Sequence, residues 1–207
     1  MILVHHLENS RSQRILWLLE ELGLPYEVRR YERDRKTMLA PPELRRVHPL
    51  GKSPVIEDEG RVVAETGAIV EYLVEKADGR LGPPRRREEL LRYRHFLHYA
   101  EGSLMPPLLV MLVLGRVPLF GKRAQKRIQP MIDVHLDYLE RELSGRDWFV
   151  DDRLTAADVM MSFPLEAARN RAGMAAGRPN LTAWLDRVHA RPAYQRALER
   201  GGPYAYA

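Results

Sequence analysis

The side chains with the most chemistry in their types crowd into one stretch, HPLGKSPVIEDEGRVVAETGAIVEYL, residues 48–73. Pro54 opens a short apolar run, where proline is tolerated at a strand start or edge. A cis Ser53–Pro54 bond is the sharper alternative. It would turn the N–H and C=O of Ser53 outward, free to pair with an extended peptide as a strand edge does. Thr66 has the residue type of a helix N-cap. The helix it opens offers free N–H groups and a partial positive charge to a carboxylate. Glu65 beside it suits an ammonium. Carboxylate and ammonium on one carbon describe the end of an α-amino acid, and Lys52 suits a second, distal carboxylate. Together these residues describe a grip on a short peptide, at both ends and along its backbone.

Other chemistries lack their residues. The chain has no cysteine, which excludes a disulfide framework, thiolate–zinc sites and a cysteine nucleophile. His95 and His98 stand three apart on a helix, yet no third ligand has supporting spacing. His5 and His6 alternate across a strand and do not face one metal together. No phosphate-cradling glycine loop and no G-x-S-x-G elbow occurs. No metal is expected.

The elements that must position the grip follow from periodicity. Residues 2–6 form a β-branched strand. Residues 10–22 carry helical spacing with Ile15, Leu18, Leu19 and Leu22 on one stripe, stopped by Gly23. Ser10-x-x-Gln13 has the form of a capping box. Residues 26–31 alternate as a strand, and Pro41-Pro42 opens a short helix to 46. Strands at 53–56 and 61–64 flank a turn at 57–60, and a helix follows over 66–76. The order βαβαββα implies a mixed sheet with helices on its faces. Residues 79–87, rich in Gly and Pro, read as a linker. Beyond it every periodic segment is helical: 88–113, 122–143, 156–170 and 181–189. The expected organisation is an α/β domain over 1–78, the linker, and an all-α domain over 88–207.

Composition narrows the partners. Hydrophobic residues make up 45%, enough for a packed core. The formal net charge is +5, but the cations are read as dispersed among acids, as in RRREELLRYR, so nucleic acid is not expected as a partner; nor is a membrane. The apolar run 104–114 is too short to span a bilayer and reads as a buried helix. The N-terminus lacks the basic and apolar regions of a signal peptide. A cytoplasmic location is expected.

At this point the sequence resembles a family. The 48–73 stretch is similar to the glutathione-binding segment of the cytosolic glutathione transferases, N-P-x-G-x-x-P-x-L, a turn, then E/Q-S-x-A-I-x-x-Y-L. His48 stands for the usual Asn and Thr66 for the usual Ser. DRLTAADVMMSFPL, residues 152–165, looks like the family's capping segment, with Thr155 and Asp158 as its box. RPNLTAWLDRVHARPAYQRAL, residues 178–198, looks like its C-terminal signature. HHLENSRSQRILWLLEELGLPYE and AEGSLMPPLL are most similar to the fungal and bacterial subgroup first described in yeast.

The resemblance implies a thioredoxin-like first domain, a helical second domain and glutathione as cosubstrate. Pro54 would be the cis-proline and Ser53 would pair with the cysteinyl backbone. Glu65 and Thr66 would bind the γ-glutamyl end, and Lys52, with His48 nearby, the glycine carboxylate. A free thiol titrates at ~8.5, so a donor must favour its thiolate. The family places that donor after the first strand, where this chain has neither tyrosine nor cysteine. Ser10 leads the candidates, with Asn9 next and Ser12 and Arg11 behind; Arg11 would act electrostatically. Leu7, Tyr99 and Met105, with Pro106 and Met111, would line an electrophile pocket between the domains. Glu101 would reach the γ-glutamyl ammonium of a partner subunit in a homodimer. Two functions remain open: a glutathione transferase acting on small apolar electrophiles, with peroxidase activity as a variant, and a catalytically weak regulatory protein on the same fold.

Overall fold

A computed structural model describes residues 1–150 and 152–207. The chain divides into two compact units, one made of Met1–Gly82 and His189–Ala207, the other of Pro83–Val188.

The first unit is built on four strands: β1 (Ile2–Leu7), β2 (Tyr26–Tyr31), β3 (Val55–Asp58) and β4 (Arg61–Ala64), in the sheet order β2-β1-β3-β4. β1 and β2 run parallel, joined by helix α1 (Ser12–Leu22); β3 lies antiparallel to both β1 and β4. The expected mixed sheet is present. Side chains alternate across it. Ile2, Val4 and His6 are buried on the side of α1, whereas His5 turns to the other face. There its ring bridges the strands, with Nδ1 2.7 Å from the Tyr31 hydroxyl and Nε2 2.7 Å from Glu57. Ile15, Leu16, Leu18, Leu19 and Leu22 of α1 are fully buried. Each such side chain contributes about 1.5–3 kcal/mol of burial.

Details of the expected elements shift. β3 extends to Asp58, so the hairpin turn is only Glu59-Gly60, both with positive φ (50° and 76°), as a two-residue type I′ turn requires. The short helix α2 is Leu44–Val47 and helix α3 is Thr66–Lys76. The buried Asp58 accepts hydrogen bonds from Tyr72 (2.7 Å) and Lys76 (2.8 Å), fastening α3 to the hairpin. A last helix, numbered α9 here (Pro192–Gly201), returns to pack on α1 within this unit, although the sequence reading placed it in the helical domain. Trp17 meets Tyr194 edge-on at 5.6 Å, and Arg191 clamps Glu21 at 2.5 and 2.9 Å.

The second unit is helical, as expected: α4 (Arg87–Tyr99), a π-helical turn (Ala100–Leu104), α5 (Met105–Leu114), α6 (Gly121–Glu142), α7 (Ala156–Arg171) and α8 (Pro179–His189). Pro106 and Pro107 lack the N–H groups that would bond back to the carbonyls of Gly102 and Ser103, which accounts for the wider turn there. The run Arg87–Leu114 is long and apolar enough, by length and composition, to cross a membrane. Its α5 portion is only half buried: Met105, Leu108 and Met111 face inward while Leu109, Val110 and Val113 are exposed. The expectation of a buried helix therefore holds for one face only. Thr155 and Asp158 form the expected capping box of α7, and Asp158 also accepts the Phe149 N–H at 2.8 Å.

Candidate functional site

The register of the sheet gathers the predicted grip. Val55 pairs with Ala64, so Ser53–Pro54 and Glu65–Thr66 flank the same end of the β3–β4 hairpin. His5 pairs with Val55, which carries the end of β1 alongside Ser53. The Ser53 hydroxyl completes that edge: it donates to the His5 carbonyl (2.7 Å) and accepts the Leu7 N–H (3.2 Å). It stands in for ladder bonds that Pro54, without an N–H, does not make. The Ser53–Pro54 bond is cis. Three segments, 7–11, 52–54 and 65–67, thus meet at one end of the sheet.

At that end α3 begins. Thr66 is its first residue and Glu65 its N-cap, so Thr66 is not the cap the sequence suggested. Glu65 has φ 72° and ψ 124°, a conformation that a side chain rarely takes; its carbonyl accepts the Ile69 N–H at 2.9 Å. Non-glycine residues held there store of order 1–3 kcal/mol of strain, typically where function needs it. The N–H groups of Thr66, Gly67 and Ala68 have no partner within the helix and point out of its N-terminus. The Glu65 side chain is exposed and Thr66 is buried. Lys52 is exposed and forms no ion pair among the described residues. His48, half-buried, ends α2, and its carbonyl accepts the Gly51 N–H at 2.8 Å. Arg11, half-exposed, immediately precedes α1.

The loop after β1 departs from expectation. The capping box at Ser10 does not form: α1 starts at Ser12, and the Gln13 side chain is buried against Gly201 with neither amide atom hydrogen-bonded. Ser10 is buried and bonds inward. Its Oγ lies 2.7 Å from Ser12 Oγ, which lies 2.9 Å from His6 Nδ1. Burial, with Arg30 nearby, lowers the His6 pKa to about 4, and the Gly201 carbonyl accepts from its other ring nitrogen. A neutral ring that donates from Nε2 must accept at Nδ1. The Ser12 proton then goes to His6 or to the Leu7 carbonyl 3.3 Å away, and in either case Ser10 gives its own to Ser12. Asn9 sits in the left-handed region (φ 49°), which asparagine tolerates, and its Oδ1 accepts the Ala205 N–H at 2.7 Å. That bond leaves the Nδ2 group as the donor end of the amide. His6 and Ser12 as a relay behind Ser10 escaped the sequence reading; a histidine six residues before a serine carries no local signature.

The remaining predicted residues fall as follows. Leu7 ends β1 and is buried in the first unit. In the second, Met105 is buried and Glu101 lies on the π-helical turn. Tyr99 is half-buried, its hydroxyl 2.5 Å from His135 Nδ1, and burial raises its pKa. His95 bonds Tyr138 at 3.1 Å. Among the described residues no group of three or more His, Asp or Glu is arranged to hold a metal.

Known proteins decide the family. A Schizosaccharomyces pombe protein, Glutathione S-transferase 3, is 36% identical over 97% of this chain and 88% of its own length. The chain belongs to the glutathione S-transferase family. The models for the Glutathione S-transferase N-terminal and C-terminal domains match residues 1–75 and 104–192 of it. Glutathione S-transferase 1 of Saccharomyces cerevisiae is 33% identical over 97% of this chain and 95% of its own. Among solved structures, a glutathione S-transferase from Actinobacillus pleuropneumoniae has TM-score 0.89 and 35% identity, covering 100% of this chain and 95% of that one. A Pseudomonas fluorescens family member with two glutathione molecules bound has TM-score 0.81 and 26% identity, over 96% and 92% of the two chains. The resemblance to the yeast-type transferases read from the sequence is borne out, as are the fold and the enzyme class.

Proposed function

We propose that this glutathione S-transferase binds reduced glutathione at the end of the sheet formed by segments 7–11, 52–54 and 65–67, and ionises its thiol for attack on a small apolar electrophile. The observation that carries this is the register of the hairpin, which sets a helix N-terminus, a strained acid and a strand edge side by side. In this reading the free N–H groups of α3 and the Thr66 hydroxyl take the γ-glutamyl carboxylate. Glu65 takes the ammonium. The backbone of Ser53 pairs with the cysteinyl unit, and Lys52, with His48, faces the glycine carboxylate.

The chain has no thiol of its own, so the nucleophilic sulfur comes from glutathione. At a pKa of ~8.5 a few per cent is thiolate at neutral pH; lowering it by one or two units makes the thiolate the major form. Asn9 Nδ2 is the donor this reading assigns to the sulfur. Ser10, with its proton given to Ser12, holds the loop in shape, and Arg11 adds positive potential. The rest of the rate comes from proximity. Reduction of peroxides uses the same thiolate. The reading also carries a homodimer and a cytoplasmic location, where thiols stay reduced.

Calorimetric titration with reduced glutathione, wild type beside Thr66→Ala, tests the grip. Micromolar to low-millimolar binding that weakens about tenfold in the variant is expected, from one lost hydrogen bond to a charged group. Absence of binding to the wild type would overturn the reading.

A further inference from the structure

The second unit carries a surface that glutathione chemistry does not use. Between Glu101 and Asp133 the sequence has no acidic residue and five cations: Arg116, Lys122, Arg123, Lys126 and Arg127. All five are exposed and none forms an ion pair among the described residues. Four of them stand on the first two turns of α6 at spacings that crowd them together. The first turn of α6 has no acid, and cations at a helix N-terminus face the positive end of its dipole.

An apolar tip accompanies them. Leu119 is 95% exposed and Phe120 71%. Val117 continues the tip, and Leu109, Val110 and Val113 extend it along the outward side of α5. The turn between α5 and α6 therefore presents bulky apolar side chains at its point and cations just behind them.

We propose that this turn docks the protein peripherally on a bilayer rich in anionic phospholipid, with Leu119 and Phe120 entering the acyl boundary and the five cations meeting the headgroups. Two features select this occupant. An anionic surface offsets charge that stays unpaired among the described residues, and only a surface with an apolar interior also takes the exposed tip. A nucleic acid would meet the cations and leave Leu119 and Phe120 in water. The proposal departs from the expectation of no membrane partner, which rested on an apolar run at 104–114 too short to span a bilayer; peripheral docking needs no spanning segment, and the cations of residues 102–132 are not interleaved with acids.

The full chain is sedimented with phosphatidylserine–phosphatidylcholine vesicles and, in parallel, with phosphatidylcholine vesicles. Binding to the anionic vesicles alone, weakened by salt, is expected. Each cation contributes roughly fivefold in affinity, so the quadruple variant K122E/R123E/K126E/R127E loses at least several hundredfold. Leu119→Ser with Phe120→Ser is expected to weaken binding at least tenfold. Unchanged circular dichroism, with thermal midpoints no lower than that of the wild type, establishes that both variants fold. In Phe120→Trp, quenching of the new indole by lipids brominated on their acyl chains reports insertion. The proposal is overturned if anionic vesicles are not bound at low salt, or if binding ignores either set of substitutions. It is overturned equally if a polyanion such as RNA binds as tightly as the vesicles and the tip variant binds it normally, or if the tip variant changes only self-association.

Discussion

A thiolate needs a donor whose proton is free to point at it, and two neighbours in the loop after β1 differ on that point. The Ser10 hydroxyl has one proton, committed to Ser12 beside the neutral ring of His6. The amide of Asn9 is held by its oxygen, through Ala205, and keeps its N–H groups. With glutathione bound, thiolate absorbance followed against pH is therefore expected to shift upward by about one unit in Asn9→Ala, the value of one neutral hydrogen bond. Ser10→Ala should shift it by clearly less while lowering thermal stability, because Ser12 loses its buried partner. Equal shifts would restore Ser10 as the donor. Glu65 offers a second test. Glycine relaxes its backbone at φ 72° but loses chain entropy of its own, so Glu65→Gly is expected to stabilise by about 1 kcal/mol. The same change removes a charged partner of the ammonium and should weaken glutathione at least tenfold. Urea unfolding and calorimetry on one variant read both effects; a variant that is neither more stable nor a weaker binder removes Glu65 from the grip.

At the scale of elements, the sequence was most legible where a segment's structure depends on its own residues. β2, β4 and α3 fall where alternation and helical spacing put them, and Gly23 caps α1 in the left-handed region as its type requires. The misreadings share a cause. Gln13 suits a capping box by spacing, but it lies on the stripe that α9 covers, and burial overrode the local motif. Thr66 has the type of an N-cap, yet β4 ends at Ala64 as expected and Glu65, in an unusual backbone conformation, takes the cap position. The pairing of α9 with α1 joins residues some 170 positions apart, and no local pattern reports it. The box at α7 kept its predicted form because all of its hydrogen bonds lie within ten residues. Asp158 accepts from the N–H of Phe149 and from both the N–H and the hydroxyl of Thr155. In Asp158→Asn one acceptor becomes a donor facing donors, which should cost about 1–3 kcal/mol. Denaturant midpoints would show this; glutathione affinity in the variant that still folds should stay unchanged, since the hydrogen bonds of the box stay within residues 149–158.

For the molecule as a whole, His6 is where the first unit is tied together. It sits on β1, meets the hydroxyl of Ser12 of α1 and donates to Gly201 of α9. Its pKa falls to about 4 from an ordinary 6.5, chiefly through burial and secondarily through Arg30. Between those values the unfolded chain binds more protons than the native one, so stability rises with pH across the window and is lost as pH falls from about 6.5 to 4. Asp158 acts in the opposite sense. Burial raises its pKa to about 6, so in its own window the native state holds the extra proton and stability falls as pH rises. The acid limb of the wild type therefore mixes opposing slopes, and only a difference isolates His6. Asparagine keeps an acceptor near the position of Nδ1 and does not titrate. The stability gap between wild type and His6→Asn, from urea unfolding at stepped pH, should shrink by up to ~3 kcal/mol from pH 6.5 to 4. Asp158 cancels from that gap. A gap that stays constant over the window would mean that His6 is not held neutral, and the inward path of the Ser10 proton, with the preference for Asn9 that rests on it, would go with it.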